Sequence, residues 1–243
     1  MQRAGIVVPL TWDYRPEVLL LKAVIFDVDG TLLDSVDLHA IAWHDAFVKF
    51  GHHVSFEKAR GQIGKGGDKL IPFFLSEAEQ ADHGKALEDW REKRFKEKYL
   101  QLVRPFSAVP DLLKRVRAAG LQVAVASSAK KDQLGHYLEI AGISNLIDEA
   151  TSSGDVEESK PAPDIFEAVL KKLNIKGADA VAVGDTPYDA EAACKAGVQP
   201  IGVLCGGFIE TELRQAGCME VYPGPASIYC CFDASLLAKR GPS

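Results

Sequence analysis

Four apolar runs, each ending abruptly in a small or polar residue, limit what this chain can fold into. They cover residues 21–27, 121–127, 180–185 and 198–204, and a helical pattern follows most of them. Runs this short and this apolar are typical of strands buried on both faces. Strands alternating with helices predict a parallel sheet covered on both sides, the α/β class with a Rossmann-like core. Helices are expected over 110–119, 132–141, 163–173 and 188–196, with Gly120, Gly142 and Gly197 stopping the first, second and last. Residues 145–150 read as a further short strand and 220–222 as an edge strand.

Residues 28–120 separate the first two runs, far more than a crossover needs, so that stretch must hold structure of its own. Its pattern is helical. Val36, Ala40, Trp43, Phe47 and Phe50 recur at spacings of four and three, and Leu87, Trp90, Arg94, Tyr99 and Leu102 trace a less regular stripe. The charged series over 88–98 reads as a solvated helix face. The expected organisation is an extension at 1–20, an α/β core at 21–36 and 109–243, and an inserted helical domain at 37–108. The chain would cross between them near 34–37 and 104–109.

With 243 residues and 47% hydrophobic content, the chain has enough apolar surface for a substantial core. A net charge of -6 and no long basic run argue against a nucleic-acid binder. An acidic protein that handles an anionic substrate must neutralise it locally, with a metal and a few placed lysines. Cys194, Cys205, Cys218, Cys230 and Cys231 lack zinc-site spacing and read as free thiols in a reducing compartment. Pro9 and Asp13 interrupt the apolar N-terminal stretch, and no run approaches membrane-spanning length. A soluble, cytoplasmic protein without membrane or nucleic-acid partners is expected.

The first run leads into Asp27-Val28-Asp29-Gly30-Thr31. Two carboxylates one residue apart on an extended segment point the same way, and Gly30 lets the backbone turn sharply beyond them. That pattern suits metal-dependent phosphoryl transfer; it also suits a plain Asp-Gly turn after a core strand. Position discriminates between the two, because ligands of parallel α/β sheets bind beyond the carboxyl ends of the strands. The second run ends at Ser127-Ser128, a later one at Gly184-Asp185 with Asp189 four residues on, and Lys160 precedes Pro161 before a helix. All of these fall on one edge of the expected sheet.

Those residues, in that order, resemble the haloacid dehalogenase superfamily. Asp27-Val28-Asp29-Gly30-Thr31 looks like its first motif, Ser127 its second, Lys160 in Ser159-Lys160-Pro161-Ala162-Pro163-Asp164 its third, and Asp185 with Asp189 its fourth. The position of the insertion is similar to the helical cap of the subgroup holding phosphoglycolate phosphatase and β-phosphoglucomutase. The resemblance implies that Asp27 attacks phosphorus and forms an aspartyl-phosphate, while Asp29 protonates the leaving oxygen and later activates water. It implies Mg2+ held by Asp27, the Asp29 carbonyl and Asp185, with Asp189 assisting. Ser127, with Ser128 beside it or in its place, and Lys160 would contact the phosphoryl group.

Within the insertion, His39 is a candidate substrate or proton-relay residue and Lys65, in Gly64-Lys65-Gly66-Gly67-Asp68-Lys69, a candidate contact to a second anionic group. The implied activity is a Mg2+-dependent phosphatase for a small phosphorylated metabolite, phosphoglycolate-like or a sugar phosphate, working as a monomer or homodimer. A β-phosphoglucomutase-type mutase is the alternative. Asp29 and the Gly-Asp-x-x-x-Asp segment weigh against a dehalogenase, and the complete set of acids, serine and lysine weighs against a non-catalytic binding protein.

Overall fold

Large and small apolar side chains alternate along the central strands, and that alternation sets the layering. The computed structural model describes residues 21–238; the expected extension at 1–20 lies outside them. The strands are β1 (Ala23–Phe26), β2 (Leu33–Asp34), β3 (Arg104–Pro105), β4 (Gln122–Ala126), β5 (Glu149–Thr151), β6 (Ala180–Gly184), β7 (Gln199–Val203) and β8 (Glu220–Tyr222). Val24, Phe26, Val123, Val125, Val181 and Val183 face one side, where they pack with the helices Val109–Ala118, Lys131–Ile140 and Pro225–Cys230. Ala23, Ile25, Ala124, Ala126, Ala180 and Ala182 face the other, against Asp164–Leu173 and Pro187–Lys195. The alanines leave room on that side for close helix approach; the valines fill the thicker layer opposite.

Six strands form one parallel sheet in the order β5-β4-β1-β6-β7-β8, with β1 at the centre. The chain winds outward from β1 in both directions, so the crevice beside its carboxyl end is the switch point where ligands of such sheets bind. Phe26 is level with Val125 of β4 and Val183 of β6. Each of the four long strands expected from the sequence ends one residue early, which leaves Asp27, Ser127, Asp185 and Leu204 just past the ladder. The short strand expected at 145–150 is displaced. Ser144–Leu146 forms a 3-10 turn, and the Asp148 carboxylate accepts the Val123 amide at 2.8 Å, so the ladder starts only at Glu149.

β2 and β3 pair antiparallel as a two-stranded ribbon at the two chain crossings. Between them run the helices Val36–Lys49, Phe56–Arg60, Gly67–Phe74, Glu77–Glu79 and Lys85–Lys98, with a π-helical turn at Gln80–Gly84. Val36, Ala40, Trp43, Phe47, Leu70, Ile71 and Leu87 build a core of their own there. Ala42 and Phe95 instead join the main core, which ties the base of the insertion to the sheet. Leu102, expected on the inward stripe, is largely exposed. Among the described residues no helix is long and apolar enough to cross a membrane.

Candidate active site

The first strand delivers Asp27 to the centre of the sheet edge, where its backbone N–H still bonds to Val183 O at 2.9 Å. Lys160 reaches it from the segment before helix Asp164–Leu173. Its Nζ lies 2.5 Å from Asp27 Oδ1 and 2.7 Å from Asp189 Oδ1, and it donates to Ala126 O at 2.9 Å. At 1% exposure, Lys160 is no solvated loop lysine. A lysine is rarely buried unless paired, and here two carboxylates pair with it.

Asp185 and Asp189 arrive through the turn after β6. Thr186 caps helix Pro187–Lys195, its hydroxyl accepting from the Asp189 amide at 3.2 Å while Asp189 Oδ2 accepts from the Thr186 amide at 3.1 Å. This reciprocal cap fixes Asp189 and points its other oxygen toward Lys160. Asp185 Oδ1 accepts from Thr31 Oγ1 at 2.9 Å, whereas its buried Oδ2 has no hydrogen-bond partner. Asp189 Oδ1 is close to Lys160 but likewise lacks an aligned hydrogen bond. Glycine walls the site: a Cβ on Gly206 would lie 1.7 Å from Asp185 Oδ2, and one on Gly30 2.3 Å from it.

Asp27, Asp185 and Asp189 bring ligand oxygens within 4.8 Å of one another. Three carboxylates meet one ammonium, an excess of two negative charges. The electrostatics follow from that imbalance. Burial, outweighing Lys160 and reinforced by Asp189, pushes Asp27 up to about 7. Burial and the charges of Asp189 and Asp27 push Asp185 well above the usual carboxylate range. Burial would depress Lys160, but Asp189 and Asp27 outweigh it and hold the ammonium above its ordinary range. An orphaned carboxylate oxygen in an all-oxygen, net-negative cradle fits a hard divalent cation.

Asp29 faces the insertion. Ser35 Oγ donates to its Oδ1 at 2.6 Å, and His39 Nε2 lies 3.0 Å from the same oxygen. The Arg91 guanidinium is 2.8 Å from His39 Nδ1. A guanidinium can only donate, so Nδ1 accepts and the ring proton sits on Nε2, facing Asp29 Oδ1 and Tyr137 Oη. Gln133 donates to the same Tyr137 oxygen. Burial would raise Asp29, yet His39, Ser35 and Arg91 together hold it below the usual range. Burial, with Arg91, lowers His39 despite Asp29, keeping the imidazole neutral. The ring stacks on Phe95 with centroids 4.0 Å apart.

A cavity of about 490 Å³ lies between insertion and sheet; Asp27, Asp29, His39, Lys65, Arg91 and Ser128 are among the residues lining it. Lys65 Nζ donates to Gln62 Oε1 at 2.6 Å and sits 4.5 Å from the centre of the Tyr188 ring. The Ser128 hydroxyl donates to Gly64 O at 3.3 Å. Ser127 is fully buried, and its hydroxyl accepts from the Ala129 amide at 3.1 Å, as a strand-end turn residue does.

Residues 24–203 match the family model described as haloacid dehalogenase-like hydrolase. The chain belongs to that family. The hydrolase is 30% identical to a phosphoglycolate phosphatase of Vibrio parahaemolyticus, over 76% of this chain and 85% of that protein. It is 29% identical to a haloacid dehalogenase-like hydrolase domain-containing protein of Arabidopsis thaliana, over 86% of this chain and 75% of the other. The solved structure of a hydrolase from Pseudomonas syringae superposes with a TM-score of 0.81 at 25% identity, covering 88% of this chain and 98% of that one.

The hydrolase gathers Asp27, Lys160, Asp185 and Asp189 into one cluster, with Asp29 and His39 hydrogen-bonded beside the cavity. Arg91, Tyr137 and Gln133 were not expected there. The series over 88–98, read from sequence as a solvated face, must be corrected at Arg91, which lies over the Trp43 ring at 4.7 Å and lines the cavity. Its i,i+4 charge pattern carries no sign of this, because His39 and Trp43 are supplied by a different helix.

Proposed function

We propose that the protein is a Mg2+-dependent phosphatase acting on a small phosphorylated metabolite through an aspartyl-phosphate. The observation that carries this reading is the buried Asp27, at the end of the central strand, sharing one ammonium with Asp189 beside the orphaned oxygen of Asp185. A carboxylate there is positioned as a nucleophile, and its excess negative environment calls for a cation before an anionic substrate can enter. Asp27, Asp185 and the Asp29 carbonyl would hold Mg2+, with Asp189 supporting. When bound, the cation supplies charge neutralisation that lets carboxylate approach phosphate.

Asp27 attacks phosphorus while the bond to the leaving oxygen breaks, and Asp29, ionised in the free site, would take up a proton as the anionic substrate enters and deliver it to that oxygen. In the second half Asp29 takes a proton from water, which attacks the phosphoryl group and releases phosphate from Asp27. Lys160 stays charged between its two carboxylates and offsets the charge that builds on phosphorus. Ser127 accepts one hydrogen bond and keeps its hydroxyl proton to donate to a phosphoryl oxygen; the Ser128 hydroxyl, on the cavity wall, would have to turn from Gly64 O to add a second donor. The helical insertion at 37–108 acts as a cap that closes water out. A cavity of about 490 Å³ suits a metabolite rather than a polymer. Five free cysteines support a reducing, cytoplasmic setting.

Phosphate release from a panel of phosphorylated metabolites, measured with Mg2+, with EDTA and in Asp27→Asn, tests the reading. Activity that survives both EDTA and Asp27→Asn overturns it. Interconversion of sugar phosphates with a bisphosphate primer, in place of net phosphate release, would make the protein a mutase.

A further inference from the structure

Asp185 turns toward the site an oxygen that no hydrogen bond aims. Thr31 fixes Oδ1 at 2.9 Å, while the buried Oδ2 is confined by the backbone packed on it at Gly30 and Gly206. Gly30 is tied down, its amide donating to Leu33 O at 2.8 Å. Gly206 belongs to the 3-10 turn Leu204–Gly206 that follows β7. Within that turn the Gly207 amide donates to Leu204 O at 2.9 Å, a local bond that lets the turn shift as a unit. Toward Gly30 it offers only a thiol, Cys205 Sγ at 3.1 Å from Gly30 O, and a thiol is a weak donor.

The firmer hold on the turn comes from the insertion. Arg60, the last residue of helix Phe56–Arg60, donates from Nη2 to Gly206 O at 3.0 Å and from Nε to Asp37 Oδ1 at 2.7 Å. Asp37 lies in the first turn of helix Val36–Lys49, beside the chain crossing. A Cβ on Gly207 would lie 2.5 Å from Arg60 Nη2, 2.6 Å from Nη1 and 2.9 Å from Cζ, so the guanidinium rests face-on against the bare Cα. The neighbouring residues extend the contact: Tyr188 Oη donates to Gly61 O at 2.8 Å and its ring meets Phe208 edge-on. The turn is thus clamped between a carboxylate of the core, on Gly206, and a guanidinium of the insertion, on Gly207.

Resting on the cation reading above, we infer that Arg60 is a positioning residue of the cation site, which holds the 204–207 turn against Asp185 so that this carboxylate is aimed at a cation only while the insertion is seated on the core. Groups that orient a metal ligand from outside govern affinity without touching the ion. The coupling is reciprocal, so a bound cation must in turn steady the Arg60 contact. Lys69 supplies the comparison. Its 2.8 Å ion pair with Glu158 also joins insertion to core, but through exposed side chains away from this turn.

Calorimetric titration with Mg2+ tests the coupling. Arg60→Met, which keeps the apolar stem, should weaken Mg2+ binding about tenfold. Arg60→Lys keeps the charge but cannot serve Asp37 and Gly206 together or lie flat on Gly207, and should lose about threefold. Lys69→Met should stay within about twofold of wild type. Hydrogen exchange gives a readout that needs no metal: amides over 204–208 should exchange at least about threefold faster in metal-free Arg60→Met than in metal-free wild type.

Mg2+ affinity unchanged in both Arg60 variants overturns the inference, as does a Lys69→Met loss equal to that of Arg60→Met, which would make the effect one of docking in general. Unchanged exchange over 204–208 overturns it as well. The cation reading fails separately: a wild-type protein that binds no Mg2+ removes that reading and the coupling with it, whereas wild-type binding that is indifferent to Arg60 removes the coupling alone.

Discussion

Replacing Lys160 by methionine tests the charge balance of the site. The change removes an ammonium 2.5 Å from Asp27, 2.7 Å from Asp189 and 2.9 Å from the Ala126 carbonyl, and leaves three clustered carboxylates without their cation. Breaking a buried pair from one side costs about 3–5 kcal/mol. In a domain of this size each kcal/mol moves Tm by about 2–4 °C, so metal-free Lys160→Met at pH 8 should melt about 6–20 °C below wild type. The pH dependence has a definite sign. Asp27 titrates near 7 in the fold against 3.8 ordinarily, so the folded form binds the extra proton between those values. The stability this contributes is complete below the lower value and is lost as pH rises through the upper one. Without Lys160 the carboxylates rise further, so the deficit of the variant must be larger at pH 8 than at pH 5, where protonation discharges them. Mg2+ should recover part of the deficit at pH 8 and little at pH 5, since it competes with protons for the same oxygens. Thermal unfolding followed by circular dichroism at both pH values, with and without Mg2+, measures all four quantities. A deficit that is absent, or equal at both pH values and indifferent to Mg2+, refutes the reasoning. Phosphate release by the variant should fall about 10²–10³-fold.

Gly206→Ala would place a Cβ 1.7 Å from Asp185 Oδ2, and the carboxylate cannot yield without breaking its 2.9 Å bond from Thr31. The variant should lose about 1–3 kcal/mol of stability and at least about tenfold in Mg2+ affinity, read by melting and metal titration. Gly135→Ala is the opposite case, an open position inside helix Lys131–Ile140 with nothing within 4 Å of the new methyl. It should stabilise by about 0.5–1 kcal/mol, and a lower Tm would count against that helix. His39→Phe keeps an aromatic ring on Phe95 but removes the hydrogen bond that helps hold Asp29 below the usual carboxylate range. Its acid limb in the pH–rate profile should move to higher pH, and an unmoved limb would mean that turnover does not report the ionisation of Asp29.

The core of this protein was legible because its chemistry sits where a local period ends. Asp27, Asp185 and Ser127 each follow a strand that the apolar runs announce, and each of those strands stops one residue short of the run's carboxyl end. Lys160 was legible only in kind. Nothing in Ser159-Lys160-Pro161 gives its burial, which comes from Asp27 and Asp189, distant in sequence. The insertion was less legible, because its functional contacts join residues that no period connects. His39 meets Arg91 across 52 positions and Tyr137 across 98. Helix Lys85–Lys98 carries charge on every side, so the guanidinium that lines the cavity reads like its solvated neighbour Lys93. A strand-end acid is fixed by the backbone and survives changes around it; a residue placed by partners on another helix moves when those partners change. The two halves of this site should therefore differ in how readily they are altered. Substitutions at Trp43 or Phe95, which flank Arg91 and His39 without lining up the core acids, should change which leaving group is accepted while the Asp27 to Lys160 contact and the cluster of Asp27, Asp185 and Asp189 persist.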